Sequence, residues 1–250
     1  MGTRLCSAEF VAEHVRARIQ EEQRLWDAIL NVPDLQCAWL LLLFCAGPRC
    51  NHLLRTLPPS QSATYAAAHD EGMATTAWNL LGLEAGVSEA MTVAQDLLGL
   101  PLRCGGVGLR SASRTAPAAY WASWADALPM ISARTPGVAR RVVDLLERPG
   151  PSAACVDELR SARELLVGEG FGACPSWRTV LAGGRPPQPE TREPGEWPHG
   201  WQYHASSIRE HFFRRTAVLS CYGGAVCAHI RSHSGPAAGS VFTSLPTASE

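Results

Sequence analysis

Over the first 150 residues, apolar side chains return at intervals of three and four, and strict two-residue alternation is absent. That spacing builds helices with one apolar side. Phe10, Val11, Val15, Ile19, Leu25, Trp26, Ile29 and Leu30 mark one face of a first helix, with Glu13, Arg16, Glu21 and Arg24 on the other and Ser7 placed to cap it. Pro33 ends this helix or opens the next, which carries Leu35, Trp39, Leu40, Leu42 and Leu43. Apolar character nearly all round that second helix predicts a place in the middle of a bundle. Pro48 and Pro58-Pro59 bracket a short helix over residues 49–57. Ser60 is placed to cap a longer one reaching Leu81, with Gly82 as its stop. Further helices are expected over 88–98, 111–128 (Pro117 in its first turn) and 137–147. Tyr120, Trp121, Trp124 and Leu128 share one side of the 111–128 helix and read as core. The class is all-α, an irregular multi-helix bundle with a Pro-rich linker and a small C-terminal helical segment.

Punctuation divides the chain linearly. Residues 1–148 read as a helical bundle ending at Pro149-Gly150-Pro151, and 149–182 as additional helices over 155–167 and 177–181. Residues 183–198 hold five prolines and form the linker. Residues 199–250 form a C-terminal helical segment, over 201–227, with a frayed tail.

A net charge of −1 gives no global signature for nucleic acid or membrane. Charge nevertheless lies in blocks. No acid occurs between Asp34 and Asp70, between Asp96 and Asp126, or between Glu210 and Glu250. These windows hold Arg49 and Arg55; Arg103, Arg110 and Arg114; and Arg214, Arg215 and Arg231. Should they converge, a neutral chain would still present a basic surface. All 22 basic residues are arginine, a bias that a GC-rich coding sequence explains as well as a phosphate-binding role.

Nine cysteines, odd in number and irregularly spaced, do not read as a disulfide framework, and residues 1–10 contain no secretory apolar region. A reducing, intracellular compartment is expected, with Cys37 and Cys45 acting as small core hydrophobes. The longest apolar run, residues 38–46, is short of the ~20 residues of a membrane span, so no membrane partner is expected. Cys221, Cys227, His229 and His233 give C-x5-C-x-H-x3-H, whose last interval suits zinc. The other intervals match no familiar finger, and ordinary scattered side chains are the competing reading. A hydrolase would draw on Ser206, His211 or Cys104, but there is no G-x-S-x-G elbow and no base marked for the cysteine.

Three stretches carry a resemblance: AGPRCNHLLRTLPPS (46–60), LPLRCGGVGLRSASRTAPAAYWASWADALP (100–129) and GEWPHGWQYHASSIREHFFR (195–214). In this order they resemble segments that follow the reverse-transcriptase palm in non-LTR retrotransposon polyproteins. The resemblance implies a parent protein that copies RNA into DNA, and a role here as thumb and post-thumb helices gripping the template–primer. It also implies an upstream palm as partner and a cytoplasmic or nuclear location. No Asp-Asp pair occurs in the sequence, and two-metal polymerisation needs clustered carboxylates. The chain is therefore expected to be a non-catalytic fragment without a cofactor, contacting RNA or an RNA–DNA hybrid. Alternatives are a helical protein-interaction scaffold, with an exposed apolar patch around residues 39–44 or Phe212-Phe213, and a non-functional fragment of a decayed element. Asn51, His52 and Arg55, beside Arg49, share a helix face suited to phosphates or sugar hydroxyls; the competing reading has them holding the turn. Arg103 and Arg110 flank Gly105, Gly106 and Gly108, whose amides would approach phosphate or, alternatively, form a tight turn needing positive φ.

Overall fold

A computed structural model of the chain describes residues 8–83, 89–172, 174–188 and 199–219. Every regular element among them is helical: α1 (Ala8–Leu30), α2 (Leu35–Leu41), α3 (Asn51–Thr56), α4 (Pro59–Leu80), α5 (Glu89–Leu98), α6 (Ala112–Arg134), α7 (Pro136–Glu147), α8 (Ala154–Gly168), α9 (Trp177–Leu181) and α10 (Trp201–Phe213). A π-turn (Leu42–Ala46) and a 3-10 turn (Gly47–Cys50) join α2 to α3, and a second π-turn (Arg214–Val218) follows α10. The all-α expectation holds. The chain forms two compact units that cut it differently from the linear division. The first takes Met1–Ile19, Cys50–Ala68 and Ala112–Arg209; the second takes Gln20–Arg49, His69–Ser111 and Glu210–Glu250. Residues 1–148 are therefore not one bundle.

In the first unit, Trp121 is fully buried, edge-to-face with Phe171 at 5.5 Å and with Trp201 at 5.6 Å, and beside Trp177. These neighbours come from the α8–α9 loop, α9 and α10, so one indole joins α6 to three segments. A second cluster sets Leu53, Leu54 and Leu57 with Ala112, Ala116 and Ala119, where small side chains on α6 accommodate leucines. Helix α6 continues through Pro129 to Arg134 and carries Pro117 inside rather than in its first turn. The Pro149-Gly150-Pro151 segment is a turn inside this unit and not a boundary. The Arg160 guanidinium donates to the carbonyls of Leu145, Leu146, Arg148 and Gly150, capping the open end of α7. Asp157 pairs with Arg160 at 2.9 Å and accepts from the Ser152 amide. Ser60 does not cap α4 with its own oxygen; Glu158 does so, accepting from both the Ser60 amide and its hydroxyl. At the two ends of the expected linker, the Gln188 side chain donates to the His199 carbonyl and accepts from the His199 amide.

In the second unit, Trp26, Ile29, Leu42, Met73, Ala77 and Trp78 form the core. A Cβ on Gly72 would stand 2.1 Å from the Trp26 ring, so the bare glycine is what admits the indole. One turn away, His69 Nδ1 meets Glu22 Oε2 at 2.7 Å with both side chains buried. Gly82 ends α4 at φ +67°, as expected of a left-handed stop.

Helix α2 departs from the expected central position. Asp34 caps it, accepting from the Cys37 amide at 2.7 Å. Only Ala38, Leu42 and Ala46 are buried, whereas Leu40, Leu41 and Phe44 are exposed and so are Cys37 and Cys45. With one packed side, a helix apolar nearly all round leaves its other side to solvent. The helical turns from Leu35 to Thr56 run for 22 residues and contain an 18-residue window of mean hydropathy 1.3, long and apolar enough by composition to cross a membrane, unlike the shorter run read from the sequence.

Candidate nucleic-acid interface

The segment joining α5 to α6 is held by its own backbone. The amides of Cys104, Gly105, Gly106, Val107, Gly108 and Leu109 donate to the carbonyls of Pro101, Leu102, Pro101, Leu97, Leu100 and Leu98. Gly105 (φ +83°) and Gly108 (φ +99°) supply the left-handed turns. A Cβ on Gly106 would strike Leu100 at 2.3 Å. These glycines thus serve a tight turn with its amides already engaged, which removes the phosphate-cradle reading for Gly105 and Gly106.

This turn carries Cys104, fully buried with Leu100 and Val218. Its Sγ lies 3.9 Å from His211 Nδ1 on α10. Arg103 and Arg110 from the second acid-free window, Arg214 from the third and the buried Glu210 all act electrostatically on the thiol. Burial pushes the Cys104 thiol up; Glu210 acts in the same direction, and the three arginines oppose it. Burial pulls the His211 imidazole down, reinforced by Arg103 and Arg214. Both groups are held neutral, the reverse of an activated thiolate–imidazolium pair. The sequence left Cys104 without a base; the structure supplies a neighbour with the wrong electrostatics. Ser206, the other nucleophile considered, is buried in the first unit.

Arg110 is exposed, and Arg103 and Arg214 are half-buried. Arg215, also exposed, lies over the Phe212 ring at 5.8 Å, and Phe213 packs with the Cys104 cluster. Two arginine windows far apart in sequence thus meet in the second unit. Arg49, from the first window, belongs to the same unit.

In the first unit, Asn51 and Arg55 have another occupation. Arg55 donates to Gln202 at 2.7 Å and pairs with Asp126 at 2.8 Å, and Gln202 donates to Asn51 at 3.2 Å. One residue or more from each of the three quoted stretches meets here. Asn51 and Arg55 therefore hold α3, α6 and α10 together, which favours the turn-holding reading; His52 is exposed on the same helix.

Cys221, Cys227, His229 and His233 lie outside the described residues, as does Ser7. Among the described residues no group of three or more His, Cys, Asp or Glu converges on a metal position. A pocket of about 700 Å³ sits on the α7–α8 turn, lined by Glu147, Arg148, Asp157 and Arg160 among others, and contains none of the expected site residues. Comparison with protein-family models, curated proteins and solved structures gave no match.

Proposed function

We propose that this chain is a non-catalytic helical region of a retroelement reverse transcriptase, contacting the backbone of RNA or an RNA–DNA hybrid through Arg103, Arg110 and Arg214. The observation that carries the reading is the packing of the Cys104 turn, from the second acid-free window, against Val218, Phe213 and His211 of the third. The three ordered stretches resembling post-palm segments support it, and the absence of an Asp-Asp pair from the sequence supports a holding role. Guanidinium groups suit phosphate because their donors match its oxygens in pairs. Phosphate contacts are sequence-independent and release counterions.

Fluorescence anisotropy with a labelled RNA–DNA hybrid tests this. Three contacts give a slope of about −2.1 to −2.7 in log K against log salt, so a fourfold rise in salt weakens binding about 20- to 40-fold. Binding that ignores salt, or no binding, contradicts the reading. A second reading, a helical protein-interaction scaffold, is favoured by one observation: the exposed apolar side of α2.

A further inference from the structure

Helix α2 and its π-turn leave a continuous side exposed: Cys37, Leu40, Leu41, Phe44, Cys45 and Pro48. They recur at three- and four-residue spacing, so they lie along one side of the helix. Phe44, at 67%, is the most exposed large apolar side chain among the described residues. No charged residue stands between Asp34 and Arg49. An isolated exposed leucine needs no explanation, whereas an uncharged apolar stripe calls for a partner.

The ends of the stripe indicate which partner. Asp34, exposed, stands before its first turn, and Arg49 stands after its last. The Arg49 Nε is out of solvent without a hydrogen bond, and the guanidinium has no ion pair among the described residues. The stripe is acidic at one end, basic at the other and apolar between. We infer that it is the interface with a second copy of this chain, paired antiparallel about a two-fold axis near Leu41. The midpoint of Asp34 and Arg49 falls between Leu41 and Leu42, and that of Cys37 and Cys45 falls on Leu41. One rotation therefore sets each Asp34 against the other copy's Arg49, each Cys37 against the other Cys45, and Leu41 against itself. Such a two-fold interface is self-complementary, and a charge-depleted core with ionic groups at the rim is the usual composition of a homodimer contact. Parallel pairing would oppose like charges at both ends. The inference is independent of the arginine cluster.

Sedimentation of the full chain across the micromolar range tests the association, and a thiol-specific bismaleimide tests the arrangement. The unaltered chain is expected to dimerise. Phe44→Glu, at an exposed position, should keep its far-UV circular dichroism and weaken the dimer about 30-fold or more, as for a central contact. Asp34→Asn, which retains a capping side chain, and Arg49→Gln should each weaken it a few-fold, as rim ion pairs do. The double variant should lose no more than one of them alone, since both remove the same pair. Cys37→Ser and Cys45→Ser chains should yield a covalent dimer when mixed and none when separate; any crosslink through the exposed Cys155 would be present in the unmixed controls as well. A monomer throughout the range, crosslinking of either cysteine variant alone through its remaining stripe thiol, or monomeric capture by phosphatidylcholine vesicles would each overturn the inference.

Discussion

Trp121→Ala lowers the unfolding free energy of the first unit by about 3–5 kcal/mol, the range for removing a fully buried large aromatic. The expectation rests on geometry: the indole is wholly out of solvent and makes aromatic contact with Phe171, Trp177 and Trp201. Each contact joins α6 to a different segment, so the cavity lies where the segments meet and cannot close by shifting a single helix. Against a typical stability of about 5–15 kcal/mol, such a loss approaches unfolding. Urea denaturation followed by circular dichroism measures it, as a lower midpoint at an unchanged slope. Trp121→Phe, which keeps a ring, should lose less. A loss below about 1 kcal/mol for the alanine variant, in the range of ordinary substitutions, would show that this indole does not organise the unit.

The second large effect belongs to the buried Glu22–His69 pair. His69→Ala removes the imidazole that Glu22 meets at 2.7 Å at a position 1% exposed, and removing one partner of a buried pair costs about 3–5 kcal/mol. Replacing both, as Glu22→Met with His69→Phe, removes the two polar groups together and keeps a similar volume. The double variant should lie close to the unaltered chain or above it, since apolar replacement of a buried pair is often neutral or stabilising. Denaturation midpoints of the two variants compare directly. If the double variant were as unstable as His69→Ala, shape at the Trp26–Gly72 contact would outweigh the hydrogen-bonded pairing.

Both effects depend on contacts of unequal legibility in the sequence. The ends of α1 and α4 are readable because Pro33 and Gly82 stop helices through their own backbones, and Trp121 is readable as core from its place in an aromatic row. The direction faced by α2 is not: when nearly every residue is apolar, periodicity has no phase, and only the partners decide that Ala38 and Leu42 go inside while Phe44 stays out. The interleaved units are equally hidden, because punctuation such as Pro149-Gly150-Pro151 reports a local turn and says nothing of Arg160 returning to cap it. Long-range pairing explains the fate of the site residues. Arg55 and Asn51 look free for a ligand until Asp126, 71 residues on, and Gln202, 151 residues beyond Asn51, arrive beside them. Arg103 and Arg214 look scattered until the Cys104 turn and the end of α10 come together. Glycine chemistry is more local, and the turn-forming reading of the 105–108 segment followed from composition alone.

Comparison of the salt dependence of hybrid binding by the unaltered chain and by Arg103→Gln/Arg110→Gln/Arg214→Gln bears most directly on the proposed role. The slope of log K against log salt should flatten by about 0.7–0.9 for each arginine that contacts phosphate, leaving little salt dependence in the triple variant, while helical content is unchanged. Equal slopes and affinities for the two proteins would contradict the assignment of nucleic-acid contact to the arginines gathered at Cys104.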